Sequence, residues 1–119
     1  MLVKSMSTCQ PFEAVDGCLI RELLHPKNDA IAEDFSLAFA EVSPGHATYQ
    51  HRLEQVEVYY VLAGQGLMHI DDEAKTVKPG DAIYIPSQAV QWIENKGSEA
   101  LKFLAIVAPP WSLQGDTRL

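Results

Sequence analysis

The chain has 119 residues, of which 47% are hydrophobic and 21% charged, so its size and composition are those of a single globular domain. Sixteen acidic against nine basic residues give a net charge of −7, which disfavours nonspecific binding to nucleic acid or to an anionic membrane surface. The longest apolar runs, residues 58–63 and 103–108, are far shorter than the roughly 20 residues of a membrane-spanning helix. With no apolar signal segment near Met1, and with Cys9 and Cys18 as the only cysteines, we expect a cytoplasmic protein without a disulfide framework.

Turn-forming residues recur at short intervals and divide the chain into strand-sized segments. Pro44-Gly45, Asp71-Asp72 and Pro86-Ser87 are three such turns. Short strands separated by turns at about 8–12 residues indicate an all-β sandwich or barrel. Seven segments are rich in β-branched, aromatic or apolar residues and are predicted as strands: 36–42, 56–63, 67–71, 76–77, 82–85, 90–94 and 101–108.

The remaining segments carry weaker signals. Residues 26–35 form either a short helical turn, capped by Asn28 or Asp29, or an irregular loop. Residues 1–10 and 112–119 are predicted as flexible ends or partner-bound arms. Because the sequence shows no repeat and no linker, residues 1–119 are predicted to form one domain.

A histidine and a glutamate stand where their side chains can meet. In an extended strand side chains alternate between faces, so Glu57 and Tyr59 share one face of the strand that begins near residue 57. His51 precedes this strand by a short turn, and the two side chains converge if their strands are neighbours. A second block, residues 79–95, repeats the order of turn and strand and carries Gln91.

These two blocks resemble the two signature motifs of the cupin superfamily. The first motif reads glycine, five residues, His-x-His, three or four residues, glutamate, six residues and glycine, and the matching positions here are Gly45, His51, Leu53, Glu57 and Gly64. The second reads glycine, five residues, Pro-x-Gly, two residues, histidine, three residues and asparagine, and its positions are Gly80, Pro86, Gln88, Gln91 and Asn95. The likeness spans residues 36–108 and implies an all-β jelly-roll barrel, the double-stranded β-helix.

The resemblance also implies a metal site, but this sequence departs from it. In metal-bearing cupins the motif histidines and glutamate bind one divalent ion such as iron, manganese, nickel or zinc. By position, His51, Glu57 and Gln91 are the implied ligands, whereas Leu53 replaces a histidine and offers no donor atom. Whether this reduced set retains an ion stays open. Of the other histidines, His46 is interpreted as a turn residue and His69 as a surface or hairpin residue.

The function implied is binding of a small polar molecule in a barrel cavity. The residues expected to line that cavity are His51, Leu53, Glu57, Tyr59 and Gln91. Two functions stay open: a binding protein without catalysis, and a metal-dependent enzyme of the isomerase, lyase or dioxygenase type that uses His51 and Glu57. Glu57 is the candidate catalytic residue, since burial raises the pKa of a carboxyl group and suits it to proton transfer.

The resemblance further implies a homodimer. The segment 15–24 is the candidate for crossing to the partner's sheet, and Trp111 is a candidate for packing in the interface. The expected partners are therefore a small-molecule ligand and a second copy of the chain, with no nucleic acid and no membrane.

Overall fold

A computed structural model describes all 119 residues and consists almost entirely of antiparallel β-strands. Its only helical segment is the three-residue 3-10 turn Met6–Thr8, so no helix is long and apolar enough to cross a bilayer. The strands β1 to β11 are, in chain order, Phe12–Glu13, Leu19–Leu24, Ser36–Val42, His51–Leu53, Val56–Ala63, Gly66–Ile70, Glu73–Val77, Ala82–Ile85, Val90–Glu94, Leu101–Ala108 and Asp116–Arg118.

The strands form two sheets that face each other. The six-stranded sheet has the order β1-β2-β3-β10-β5-β8, and the five-stranded sheet has the order β11-β4-β9-β6-β7. From β8 to β11 the chain alternates between the two sheets, which is the connectivity of a jelly roll. The predicted all-β jelly-roll barrel is therefore confirmed.

The core lies between the sheets because side chains alternate along each strand. On β10 every second residue from Leu101 is buried, while Ile106 points outward and is half-exposed. β5 follows the same rule, with Tyr59 and Val61 inward and Tyr60 outward. Thirteen buried residues, Phe103 among them, form one hydrophobic cluster.

The motif glycines stand where the backbone requires them. Gly45, Gly64 and Gly80 have φ angles of +77°, +79° and +93°, a region that L side chains rarely adopt. Gly64 also lies against the neighbouring strand, since a Cβ there would be 2.6 Å from the carbonyl oxygen of Ala100. Gln88, which stands where the second motif has a glycine, keeps a φ of +69°.

All seven predicted strands are present, and four further strands were not predicted. β4 and β11 have three residues each and pair with each other in the register Leu53↔Asp116 and His51↔Arg118. Strands this short carry too little alternation to be recognised in a sequence. Residues 112–119, predicted as a flexible or partner-bound arm, therefore contain a strand of this chain's own sheet.

Two other segments are also placed by the structure. β2, in the segment predicted to cross to a partner, pairs with β3 of the same chain in the register Ile20↔Ala40. Residues 26–35 form turns and bends rather than a helix. The Asp29 carboxylate accepts a hydrogen bond from the backbone N–H of His25 at 3.1 Å, so it closes a turn and does not cap a helix.

Replacing Gly64 with alanine is expected to destabilise the barrel more than replacing Gly80. Both glycines have positive φ, so both alanines carry about 1–2 kcal/mol of conformational strain. Only the Gly64 side chain would collide with backbone, whereas a Cβ at Gly80 meets nothing within 4 Å. We expect Gly64→Ala to lower the free energy of unfolding by roughly 1–3 kcal/mol more than Gly80→Ala in urea denaturation. Equal losses would show that the contact with Ala100 is not tight.

Candidate functional site

One small cavity opens between the two sheets. Its volume is about 60 Å³, which is room for several atoms of a ligand, since one water needs about 10–15 Å³. Twelve of its eighteen lining residues are hydrophobic, Tyr59 among them, and the other six are Asp16, Glu22, Ser36, His51, Glu57 and Asp116. A larger groove of about 520 Å³ between β7 and β8 contains none of the residues predicted for the site.

Four of the five residues predicted for the cavity line it, and the fifth lies behind them. His51 and Leu53 point inward from β4, and Glu57 and Tyr59 point inward from β5 in the facing sheet. Gln91 on β9 is opposite His51 in register and is 1% exposed, but it does not reach the cavity surface. The Tyr59 hydroxyl donates a hydrogen bond of 3.2 Å to Oε1 of Gln91. The amide nitrogen of Gln91 has no hydrogen-bond partner.

His51 is held between two carboxylates. Its Nδ1 lies 2.9 Å from Oδ1 of Asp116, and its Nε2 lies 3.4 Å from Oδ2 of Asp16. Burial lowers the pKa of His51, but the hydrogen bond to Asp116 and the charges of both aspartates raise it, and the net pKa lies above the ordinary histidine value. The imidazole is therefore biased toward its charged form.

Sequence reasoning missed both aspartates. Asp16 lies in the loop before β2 and is 7% exposed, and burial raises its pKa despite the attraction of His51. Asp116 opens β11, and its other oxygen accepts a hydrogen bond of 2.9 Å from the indole Nε1 of Trp111. Neither aspartate falls in a motif, and only the pairing of β11 with β4 brings Asp116 to His51. Trp111 lines the cavity, and its packing in a dimer interface stays a prediction.

Glu57 is buried without a partner for one of its oxygens. Its side chain lies in the cavity wall, the residue is 7% exposed, and Oε1 has no hydrogen-bond partner within the protein. Burial raises the pKa of Glu57 to about 8; the charge of His51 opposes this rise and the charge of Asp16 adds to it. At neutral pH Glu57 is therefore mostly a neutral carboxylic acid, which can donate a hydrogen bond as well as accept one.

Unpaired buried polar atoms belong to three of the predicted site residues. They are Nε2 of His51, Oε1 of Glu57 and Nε2 of Gln91. An unpaired buried donor or acceptor costs roughly 1–3 kcal/mol, so such atoms are rare in folded proteins. Of these three, the atoms of His51 and Glu57 belong to residues that line the cavity, where a ligand could pair with them.

These residues do not fit the divalent metal site that the motif resemblance implies. The Gln91 oxygen is occupied by Tyr59, and the amide nitrogen left free does not ligate a cation. Leu53 offers no donor, and no three or more His, Cys, Asp and Glu side chains converge in an arrangement that could hold an ion. Of the motif positions, only His51 and Glu57 keep a ligating side chain, and one imidazole with one carboxylic acid is a poor set for capturing a transition metal.

The remaining histidines and cysteines do not complete the site. His69 stacks on Trp92 with 4.1 Å between ring centroids and bonds to Glu94, and it does not line the cavity. His46 is exposed in its turn. Cys18 lines the cavity, but burial raises the pKa of its thiol and keeps it protonated.

Comparisons with known proteins agree with the barrel and its motifs. Residues 38–107, more than half of the chain, match the family profile described as the cupin domain. The chain belongs to the cupin family. This cupin is 45% identical over 111 residues to an uncharacterized protein of Methanocaldococcus jannaschii, an alignment that covers 92% of this chain and 87% of that protein.

Two further relatives are similar to this cupin. The oxalate-binding protein of Thermotoga maritima is 31% identical over 90 residues, which cover 75% of this chain and 69% of that protein. The polyketide cyclase RemF from Streptomyces resistomycificus superposes with a TM-score of 0.83 at 22% identity, covering 100% of this chain and 85% of that one. The second likeness concerns the fold alone.

The raised pKa of Glu57 predicts that stability falls as pH rises. Between about pH 4.5 and 8 the folded chain holds a proton on Glu57 that the unfolded chain has released, so the free energy of unfolding decreases across this window. Glu57→Gln removes this dependence. The free energy of unfolding of Glu57→Gln, measured relative to that of the wild type, should rise by a few kcal/mol from pH 4 to pH 9, since one pKa unit is worth about 1.4 kcal/mol.

Urea denaturation at several pH values measures this difference. Glu33→Gln is the matched control because Glu33 is exposed in a loop, and its stability should follow the wild type throughout. Parallel curves for the wild type and Glu57→Gln would contradict the raised pKa.

Proposed function

We propose that this cupin binds a small organic molecule with a carbonyl or carboxyl oxygen in its barrel cavity, without requiring a metal ion. The observation that carries the proposal is the set of unpaired polar atoms on His51 and Glu57 in a mainly apolar cavity. A neutral Glu57 is a hydrogen-bond donor, the raised pKa of His51 favours a proton on its Nε2 as well, and a ligand oxygen is the acceptor that both lack.

The cavity also limits the size and charge of the ligand. A volume of about 60 Å³ suits a molecule of a few heavy atoms. Asp16 and Asp116 lie beside His51 and oppose a ligand that carries several negative charges. The oxalate-binding relative from Thermotoga maritima supports a small carboxylic acid as the ligand class.

Proton transfer is a second candidate function. The pKa of about 8 places Glu57 close to neutrality, where a general acid is most effective. Glu57 would then donate its proton to the carbonyl oxygen of the bound molecule, with His51 stabilising the negative charge left on the Glu57 carboxylate. This candidate retains Glu57 as the catalytic residue and needs no ion for the step.

Binding of small carboxylic acids should depend on the protonation of Glu57. We expect acetate, which carries a single charge, to bind the wild type at pH 6 and to bind about tenfold more weakly or worse at pH 9, because a charged Glu57 cannot donate and repels the ligand. Glu57→Gln keeps a donor at both pH values and should lose this pH dependence. Glu57→Leu has no donor and should not bind.

Calorimetry and chemical-shift perturbation measure these affinities. His46→Ala is the control, since His46 is exposed and does not line the cavity. Binding that is equal at both pH values, or that survives Glu57→Leu, would contradict the role of Glu57.

We also propose that two copies associate through the outer face of the six-stranded sheet. Tyr60, Leu62, Tyr84 and Ile106 are 42%, 43%, 61% and 37% exposed on this face, although an outer sheet face in contact with water is normally polar. Val58 stands in register between Tyr84 and Ile106, so the apolar surface continues from β8 to β10. A second copy presents the same face and covers this one by two-fold symmetry.

The oligomeric state tests this second proposal. Light scattering should report a mass near twice 13.2 kDa for the wild type, and Ile106→Glu should shift it to the monomer by burying a charge in the interface. Leu2→Glu, at an exposed position away from the sheet, should remain dimeric. A monomeric wild type at micromolar concentration would overturn the proposal.

A further inference from the structure

The C-terminal segment, residues 109–119, crosses back over the barrel and becomes part of the cavity. The backbone N–H of Trp111 donates to Oγ of Ser36 at 2.9 Å, and its carbonyl accepts a hydrogen bond of 2.7 Å from Nε2 of His25. Further along, β11 pairs with β4, and Leu119 N–H donates to the carbonyl of Gln50 at 2.9 Å. The segment is thus fixed at both ends.

Asp116 is held within this segment by hydrogen bonds to both of its oxygens. Oδ1 accepts from Nδ1 of His51 and Oδ2 accepts from Nε1 of Trp111, each at 2.9 Å. The side chain of Asp116 is 5% exposed. A carboxylate can satisfy these two donors together, whereas the amide of asparagine has one acceptor oxygen and would place an NH₂ group against the other donor.

The hydrogen bond to Asp116 determines which nitrogen of His51 is available. A carboxylate oxygen only accepts, so Nδ1 carries a proton, and Nε2 is the ring atom left toward the cavity. Asp16 lies 3.4 Å from that atom without completing a hydrogen bond, and its other oxygen is occupied by the backbone N–H of Cys18 at 3.0 Å.

We propose that Asp116 is a positioning residue that fixes the ring of His51 with Nε2 directed at the ligand oxygen, and that the C-terminal segment thereby completes the binding site. This rests on the proposed function, because it assigns to Asp116 a part in ligand binding through His51. Trp111 fixes the second oxygen of Asp116 and so helps to hold the carboxylate against His51.

Asparagine and phenylalanine substitutions separate the parts of this arrangement. Asp116→Asn should disturb the hydrogen bond to His51, because its single acceptor oxygen is contested by Trp111. Trp111→Phe leaves the carboxylate on His51 and removes only the second donor. The double variant, Asp116→Asn with Trp111→Phe, lacks the indole donor. Its asparagine oxygen is then free to accept the hydrogen bond from His51, without the negative charge. Asp72→Asn, at an exposed turn position, is the matched control.

Histidine ¹⁵N spectra at neutral pH read this hydrogen bond directly, and acetate affinity reads its consequence. The wild type and Asp72→Asn should show a protonated, hydrogen-bonded Nδ1 on His51 and the same acetate affinity. Asp116→Asn should lose that signature for His51 alone among the four histidines and bind acetate about tenfold more weakly. The double variant should regain the Nδ1 signature and part of the affinity, which a residue with a merely structural role would not do.

The spectra test the positioning role of Asp116, and the acetate affinity of the wild type tests the proposed function. An Asp116→Asn variant with the wild-type Nδ1 signal and wild-type acetate affinity would overturn the positioning role. If that variant does not fold, an unprotonated Nδ1 of His51 in the wild type would overturn it equally. Failure of the wild type to bind acetate, with the Nδ1 signature present and dependent on Asp116, would overturn the proposed function while leaving the orientation of His51 established.

Discussion

Desolvation of Glu57 is the interaction on which the rest of the site depends. A carboxylate moved from water into an apolar interior loses a large solvation free energy, and it avoids this loss by remaining protonated. Phe103, Ala105 and Val107 in the cavity wall provide that apolar environment. The outcome is an uncharged acid beside a histidine whose pKa two aspartates raise.

Several ionisable groups lie close together around the cavity, and among Asp16, His51, Glu57 and Asp116 only His51 can carry a positive charge. Asp116 is hydrogen-bonded on both oxygens, which makes it the acid best compensated inside the barrel. Asp16 receives less compensation, and burial raises its pKa. The site therefore combines Glu57 and His51 as donors toward the cavity with an aspartate on either side of the histidine, which suits a neutral or singly charged ligand.

Much of the fold could be predicted from the sequence because the motif glycines have a physical requirement. Gly45, Gly64 and Gly80 occupy backbone conformations that other residues adopt only with strain, so their spacing reports the turns of the barrel. The alternation along β5 likewise placed Glu57 and Tyr59 on the inner face. Those signals are local, and a single sequence carries them.

The contacts made by Asp16 and Asp116 could not be predicted in the same way. Asp116 reaches His51 through the pairing of two three-residue strands 65 positions apart, and neither strand has a recognisable pattern. The polar tail looked like an unattached end because its hydrogen bonds are made with distant residues. Gln91 is a further case. Its position matches the motif, but its oxygen accepts a hydrogen bond from the Tyr59 hydroxyl, which leaves only the NH₂ group, a donor, unpaired.

The protonation state of Glu57 determines whether the cavity offers a hydrogen-bond donor at this position. It can be followed by ¹³C NMR of the side-chain carboxyl carbon, assigned by its disappearance in Glu57→Gln. The account predicts a carboxyl resonance that remains that of the neutral acid at pH 7 and titrates with a midpoint near the expected pKa of about 8. A resonance that titrates near pH 4.5, as for an exposed glutamate, would contradict the central claim that the cavity holds Glu57 as a hydrogen-bond donor.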